Sequence, residues 1–147
     1  MEAFRHLVDA ALLYPALSMK SPIRSYRDLI VCQRAVELFV AVTELVRGLP
    51  RADRIVFEVQ IRRAARSVAS NISEGHQRHH LGDYLRHVSF ARASLGEVET
   101  DLVLIEKTST CALSDLSRCT ACADEVGRML TSLGKSLRKR WKPKRAG

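Results

Sequence analysis

Apolar residues recur at three- and four-residue steps along most of the chain, the spacing of helices with one buried face. The first such segment is predicted to begin just before Tyr26, because Ser25 and Asp28 have the spacing of a capping box, and to end at Gly48-Leu49-Pro50. Its predicted inward stripe consists of Leu29, Cys32, Val36, Phe39, Val42 and Val46, flanked by Leu38, Leu45 and Leu49.

A second helix is predicted from about Ala52 and Asp53, with Asp53 as the N-cap, to Gly75. Glycine at this end is expected to supply a left-handed cap. The residues predicted to face inward are Phe57, Ile61, Ala64, Val68 and Ile72.

The third and fourth helices have the most regular patterns, with apolar residues alternating in steps of three and four. The third follows Gly82-Asp83 as its predicted cap, and the fourth starts at Ser114 or Asp115. The predicted stripe of the third helix is Leu81, Tyr84, Val88, Ala91, Leu95, Val98, Leu102 and Ile105. That of the fourth is Leu116, Cys119, Ala123, Val126, Leu130, Leu133 and Leu137.

Helices of about 22 to 27 residues are about 33 to 40 Å long. Short connections near 49–52, 76–82 and 108–114 require each helix to run antiparallel to its predecessor. The predicted fold is therefore an all-α, up-down-up-down antiparallel four-helix bundle. The predicted division is an N-terminal extension at 1–22, the bundle at 23–137 and a basic C-terminal tail at 138–147.

Composition agrees with one globular helical domain. The 147 residues are 46% hydrophobic, 27% charged and 5% aromatic, and no proline occurs between Pro50 and Pro143. This disfavours a disordered chain and a strand-rich sandwich. No segment is long and apolar enough to cross a bilayer. The apolar run at 10–17 follows Asp9 and contains Pro15, which disfavours a signal peptide. Residues 1–18 are then either an upstream extension of a cytoplasmic protein or the result of a misplaced start.

The net charge of +8 is concentrated at the C-terminus, where residues 113–147 contain nine Lys and Arg against three acidic residues. A cationic segment with one aromatic residue is typical of nucleic-acid contacts. The predicted nucleic-acid-binding residues are Lys135, Arg138, Lys139, Arg140, Trp141, Lys142, Lys144 and Arg145. The alternative is a solubilising terminus whose cations oppose the helix dipole.

Three stretches of the chain, 25–35, 60–75 and 94–102, resemble the four-helix-bundle proteins encoded in intervening sequences of bacterial large-subunit ribosomal RNA genes. The most specific is Gln-Ile-Arg-Arg-Ala-Ala from Gln60, which leads to Asn-Ile-Ser-Glu-Gly from Asn71. The resemblance spans 25 to about 135. The chain departs at Cys32, where the family often has a large aromatic residue, and in its N-terminal extension.

The resemblance implies a small cytosolic bundle without established enzymatic activity, assembled as a ring-shaped homopentamer. A related branch includes the accessory variability determinant of diversity-generating retroelements. That branch implies a basic pentamer that binds a reverse transcriptase and nucleic acid.

Charged and amide side chains on the second and third helices form a predicted polar network, either between helices or between subunits. Antiparallel packing about a loop near residue 79 places 60–63 beside 95–98, so that Gln60 and Arg63 can face Glu97 and Glu99. The network residues are Gln60, Arg62, Arg63, Arg66, Asn71, Glu74, Glu97 and Glu99. The alternatives are a solvated charged face, a polyanion site on the second helix and, for Asn71 and Glu74, simple helix termination.

Histidine and cysteine clusters favour structural roles. His76, His79 and His80 are expected as surface-loop residues rather than as metal ligands. Cys119 and Cys122 have redox-motif spacing, but they lie on or beside the predicted core stripe. No di-iron Glu-x-x-His pair, phosphate-binding glycine loop or nucleophile elbow occurs. The sequence therefore predicts no enzyme, no cofactor and no metal.

Two functions remain compatible with these features. The first is nucleic-acid binding, RNA in preference, through the basic surface and C-terminal tail. The second is an assembly or adaptor role in which the bundle docks a protein partner such as a reverse transcriptase. Polyanion binding weakens steeply with salt, whereas apolar docking depends on it only modestly.

Overall fold

The structure, a computed structural model, describes residues 22–141 of the chain. A 3-10 turn at Tyr26–Asp28 precedes four helices: α1 (Ile30–Gly48), α2 (Arg51–His76), α3 (Leu81–Thr108) and α4 (Leu113–Arg140). The predicted extension before Pro22 and the tail residues Lys142, Lys144 and Arg145 lie outside the described residues, so those predictions stand as predictions.

The four helices form the predicted antiparallel bundle. α1 packs against α2 and α4, and α3 packs against the same two helices from the other side, while diagonal pairs make no close backbone contact. One continuous apolar core runs between them. The 3-10 turn lies against α1 and the C-terminal part of α2, so it covers one end of the bundle.

The heptad stripes of α3 and α4 are confirmed almost completely. All their members are buried except Leu81 and Leu133, which are half-buried. In α2 the predicted inward residues are likewise buried, apart from the half-buried Phe57 at the helix start. Regular three-four spacing therefore identified the packed faces of these helices correctly.

In α1 the predicted stripe is wrong at one position. Val36 is 46% exposed, whereas Leu29, Cys32, Val42 and Val46 are buried as predicted and Phe39 is half-buried. The small Ala35 is completely buried in place of Val36, which allows close packing of the helices. The ring of Phe39 lies at the edge of the core instead, with the Arg62 guanidinium 5.8 Å from its centre.

The predicted helix starts also need correction. The capping box of Ser25 and Asp28 is present, but it caps the 3-10 turn. Leu29 then takes an extended conformation, with φ −74° and ψ 117°, and its side chain is buried, so α1 begins only at Ile30. Packing of Leu29 into the core thus separates the capped turn from the helix.

The other three helices start earlier than predicted and have no side-chain caps. They follow Pro50, His80 and Ala112, so the predicted caps at Asp53, at Gly82-Asp83 and at Ser114 or Asp115 lie inside the first helical turn. An acidic residue in the first turn interacts favourably with the positive end of the helix dipole. These acidic residues therefore stabilise the helix starts from positions inside the first turn.

Gly75 is not a left-handed cap. α2 continues through it to His76, and no residue at 22–141 has a positive φ. A Cβ atom on Gly75 would lie 2.8 Å from the Cβ of His87 and 2.8 Å from Cδ2 of Tyr84. Glycine is needed at this position because the first turns of α3 approach the α2 backbone closely.

Candidate nucleic-acid interface

The antiparallel topology collects cations at one end of the bundle, which contains the 3-10 turn, the end of α2, the start of α3 and the end of α4. We call this region the basic end. Its eight cations are all exposed: Arg24, Arg27, Arg78, Arg86, Lys135, Arg138, Lys139 and Arg140. Its acids are Asp28, Glu74 and Asp83. Within residues 22–141, no carboxylate forms a salt bridge with any of the eight cations.

The opposite end is close to neutral. It contains five cations, namely Arg47, Arg51, Arg54, Lys107 and Arg118. It also contains six acids, namely Glu44, Asp53, Glu58, Asp101, Glu106 and Asp115. The positive charge of the folded bundle is thus polarised along its length, a property that the fold creates from residues distant in the sequence.

Trp141 is held at the basic end. Its backbone N–H donates to the carbonyls of Leu137 and Arg138, at 3.0 and 3.2 Å. A Cβ atom on Gly82 would lie 3.6 Å from Nε1 of its indole, which shows that the indole lies against the start of α3. The side chain is 46% exposed, so one part of the ring remains open to solvent.

This arrangement corrects the predicted boundary between the bundle and the C-terminal tail at residue 138. Arg138 and Arg140 belong to the last turn of α4, which ends at Arg140. Helical order persists because Leu137 is buried in the core and Trp141 contacts Gly82. Four predicted nucleic-acid-binding residues, Lys135 and 138–140, therefore lie on α4.

A second polar feature joins α2 to α3. The Arg78 Nε–H donates to His87 Nε2 at 3.2 Å, and His87 Nδ1 lies 3.2 Å from the Asn71 amide oxygen. The Asn71 amide nitrogen donates to the carbonyl and the hydroxyl of Ser67, at 2.9 and 3.1 Å. The Ser67 hydroxyl lies 2.8 Å from that of Ser94. We call these five residues the α2–α3 polar chain.

Donor chemistry sets the direction of the polar chain. Arginine Nε can only donate, so His87 Nε2 accepts and the imidazole hydrogen lies on Nδ1, directed at Asn71. Asn71 in turn donates to the Ser67 hydroxyl, which also forms a hydrogen bond with the Ser94 hydroxyl. The hydrogen bonds thus run in one direction from Arg78 to Ser67, and the chain fixes the register of α2 against α3.

Two of the predicted network residues belong to this site or border it. Asn71 is in the polar chain, and the exposed Glu74 lies 3.8 Å from His87 Nδ1. Sequence reasoning did not include Ser67, Ser94 and Arg78 in a network. His87 and Ser94 stand seven residues apart beside the apolar stripe of α3. That spacing is a signal for a polar seam at the edge of the interface.

The remaining network residues are not joined in this way. Arg62 pairs with Glu58 on its own helix, at 3.2 Å. The side chains of Gln60, Arg63, Arg66, Glu97 and Glu99 are exposed, and no salt bridge connects α2 to α3 through them within residues 22–141. The expected contacts of Gln60 and Arg63 with the two glutamates are therefore not formed within the chain, because these side chains lie on the outer faces. The intersubunit form of this network stays a prediction.

Asp101, in the C-terminal half of α3, is partly buried. Burial raises the pKa of its carboxyl group, and the nearby carboxylate of Glu97 raises it further. The C-terminal half of α3 contains four acids, Glu97, Glu99, Asp101 and Glu106, against one cation, Lys107.

The cysteines have the character of core residues. All four are free thiols, and Cys32 and Cys119 are buried. Burial raises the pKa of Cys119 to about 12, and it also raises the pKa of Cys122. Protonated thiols are weak nucleophiles and weak metal ligands. Among the described residues no three His, Cys, Asp or Glu side chains cluster as a metal site would require.

No helix within residues 22–141 is long and apolar enough to span a membrane.

These features define an all-α antiparallel bundle with a polar seam between α2 and α3 and a cationic end. Residues 27–132 match the family model of the 23S rRNA-intervening sequence protein, and the chain belongs to that family. The resemblance found between residue 25 and about residue 135 is thereby confirmed.

One similar solved structure is from Bacteroides thetaiotaomicron and is described as a protein with unknown function from the S23 ribosomal protein family. It is 23% identical, with a TM-score of 0.66, over 72% of this chain and 99% of that chain. At this identity the similarity concerns the fold. No curated protein matches the sequence significantly.

Proposed function

We propose that this protein is a non-enzymatic cytoplasmic protein that binds nucleic acid, RNA in preference, through its basic end and C-terminal tail. The observation that carries the proposal is the cluster of eight exposed cations, without carboxylate partners in the described chain, beside the half-exposed Trp141. Cations of this kind release condensed counterions from a phosphate backbone. An exposed indole adds stacking on an unpaired base.

Three further cations support the same interpretation from the sequence. Lys142, Lys144 and Arg145 come after Trp141 in the sequence, and Trp141 lies at the basic end. Because the opposite end is close to neutral, the attraction of a polyanion is local rather than a consequence of overall charge.

Anisotropy titration of a fluorescein-labelled single-stranded RNA tests the proposal. The variant R138Q/K139Q/R140Q removes three charges from the basic end, and R47Q/R51Q/R54Q removes three from the opposite end as a matched control. We expect the first variant to weaken binding and to lower the slope of log K against log salt by about 2, at about 0.7 per phosphate contact. Equal effects of the two variants, or none, would contradict the proposal.

We further propose that the protein forms a homo-oligomer. On the outer face of the N-terminal half of α2, Ile55, Val56 and Val59 are 73%, 66% and 69% exposed. Three neighbouring exposed aliphatic side chains favour burial against another surface. The family resemblance supports a ring of five copies, and the exposed arginines of α2 and glutamates of α3 supply opposite charges for it.

Light scattering tests the assembly. We expect a multimeric mass for the wild type and a lower mass for I55S/V59S, with helicity unchanged by circular dichroism. A monomeric wild type at micromolar concentration would overturn the oligomer.

The same apolar face favours the second candidate function, an adaptor for a protein partner such as a reverse transcriptase. That complex would persist at high salt, unlike the complex with RNA.

A further inference from the structure

A surface groove between α3 and α4 is lined by charged and hydroxyl side chains that do not belong to the basic end. It has a volume of about 460 Å³, and its lining includes Arg92, Glu99, Arg128, Thr131 and Ser132. Its floor is formed by Leu95 and Gly127, and a Cβ atom on this glycine would lie 3.4 Å from Cδ2 of Leu95. The missing side chain leaves the groove open at its middle.

Arg92 is held across this groove by an uncharged partner. Its guanidinium donates to the hydroxyl of Thr131 on α4, and that hydroxyl donates to the carbonyl of Gly127 at 2.9 Å. A guanidinium has five N–H donors, so most of its donors and its full charge remain for another acceptor. Neither Arg92 nor Arg128 forms a salt bridge within residues 22–141.

The other groove of the same helix is different. Between α4 and α1, Arg34 lies 3.3 Å from Glu125, and Arg118 lies 2.6 Å from Glu44. Carboxylates of the bundle thus neutralise the arginines on that side. On the α3 side neither Arg92 nor Arg128 forms a salt bridge with the lining carboxylate of Glu99, and Arg92 donates to a hydroxyl instead, so both guanidinium groups can still pair with an anionic ligand.

Cations continue from this groove to the basic end. Arg128, Ser132, Lys135 and Lys139 follow one another at steps of four, three and four, so they share one face of α4. From Arg128 to Trp141 the helix rises about 20 Å. One strand carries a phosphate about every 3.4 Å along a stacked helix, so this path matches about six nucleotides.

We propose that the groove between α3 and α4 binds the sugar-phosphate backbone of a single-stranded nucleic acid. Arg92 and Arg128 contact phosphates at one end, Lys135 and Lys139 continue the path, and Trp141 stacks on a base at the other end. One sugar-phosphate backbone can follow a surface groove between two adjacent helices, and stacking on the half-exposed Trp141 requires an unpaired base, so we infer a single-stranded ligand. This inference rests on the proposed function and identifies the path and strandedness of its ligand.

Glu99 places a negative charge at one end of the groove, and the effect of that charge on binding can be tested by substitution. Its carboxylate lines the end of the groove farthest from Trp141, where it repels a phosphate. Removing this charge is therefore expected to strengthen binding. A gain of affinity from E99Q is more specific than a loss, because general damage to the fold does not produce it.

The experiment measures binding of the full chain to a fluorescein-labelled 12-nucleotide single-stranded RNA and to the corresponding 12-base-pair duplex. We expect R92Q/R128Q to weaken single-strand binding about tenfold and to lower the salt slope by about 1.4, and E99Q to tighten binding. The control R47Q/R54Q removes two charges at the opposite end and should leave affinity unchanged. Thermal unfolding followed by circular dichroism verifies that each variant folds.

The outcomes separate this inference from the proposed function. If R92Q/R128Q binds as the wild type does while R138Q/K139Q/R140Q loses affinity, the groove path is wrong and the basic end remains the binding element. If the duplex binds as tightly as the single strand, the assignment to a single strand is wrong. If the wild type binds neither RNA, the proposed function fails, and the groove path fails with it.

Discussion

The hydroxyl of Ser67 on α2 lies 2.8 Å from the hydroxyl of Ser94 on α3. Ser94 is only 8% exposed, and it is the buried polar residue of the described bundle. Its hydrogen bond is the innermost link of the polar chain that runs through Asn71 and His87 to Arg78. The packing of the two helices therefore depends on a polar pair in a mainly apolar interface.

This pair predicts non-additive effects on stability. Ser67→Ala should destabilise the protein by about 1 to 3 kcal/mol, because it leaves the buried Ser94 hydroxyl without its partner. S67A/S94A should be less destabilising than the sum of the two single changes, since no unpaired hydroxyl remains. Urea unfolding of the four proteins measures the coupling. Strict additivity would mean that the two hydroxyls do not interact.

Gly75 predicts a second effect on stability. Gly75→Ala places a Cβ atom 2.8 Å from the Cβ of His87, an atom close to the α3 backbone, so α3 must shift. We expect destabilisation by about 1 to 3 kcal/mol. Gly96→Ala is the matched control, because no atom lies within 4 Å of its added Cβ. At that site alanine should stabilise the helix by about 0.5 to 1 kcal/mol. The same sign for both changes in thermal unfolding would refute the close approach.

The register of α1 can be tested with neighbouring residues. Leu38→Ala should cost about 2 to 5 kcal/mol because Leu38 is completely buried. Val36→Ala should change stability by about 0.5 kcal/mol or less, since Val36 is 46% exposed. Chemical denaturation compares the two variants. A larger loss for Val36→Ala would restore the stripe predicted from the sequence.

Cys119 predicts a loss of stability in alkaline solution. Its pKa is about 12 in the folded protein, against about 9 for an accessible thiol, so folding favours the protonated form. That contribution is complete below about pH 9 and is lost as the pH rises towards 12, because the unfolded chain releases the proton first. Stability measured from pH 8 to 11 should fall more steeply for the wild type than for Cys119→Ala. Parallel pH profiles would exclude a role for this thiol.

The C-terminal tail predicts a change in binding without a change in fold. Deleting residues 142–147 removes three cations and lowers the formal net charge from +8 to +5. We expect weaker binding of single-stranded RNA, and a salt slope lower by about 2 if each cation contacts a phosphate. Helicity should remain unchanged because α4 ends at Arg140. Unchanged RNA affinity after truncation would show that these residues only solubilise the chain.

Much of the fold could be predicted from local patterns in the sequence. The spacing of Leu95, Val98 and Leu102 repeats with the helical period, so it identifies a buried face without any knowledge of the neighbouring helix. Short connections between long helices then leave an antiparallel bundle as the simplest packing. The family resemblance came from the run of residues around Gln60 and Asn71, and the family match confirms it.

Only part of the candidate site could be predicted from the sequence. The excess of cations in the last helix is a sequence property, and the predicted binding residues begin at Lys135 in that helix. The partnership of Arg92 with Thr131, by contrast, joins residues 39 positions apart and depends on how α3 and α4 face each other. The expected facing of Arg63 and Glu97 failed within the chain because a shared level along two helices does not place two side chains on facing sides.

The sequence by itself therefore determined the helices, their order and the sign of the charge, because helical periodicity and composition are local properties. Tertiary structure alone decided why residue 75 must be glycine, that Ala35 rather than Val36 is buried in α1, and which cations share one end. Those features depend on distances between separate helices. Neither the close approach of α3 to Gly75 nor the contact of the Trp141 indole with Gly82 follows from a periodic pattern in the sequence.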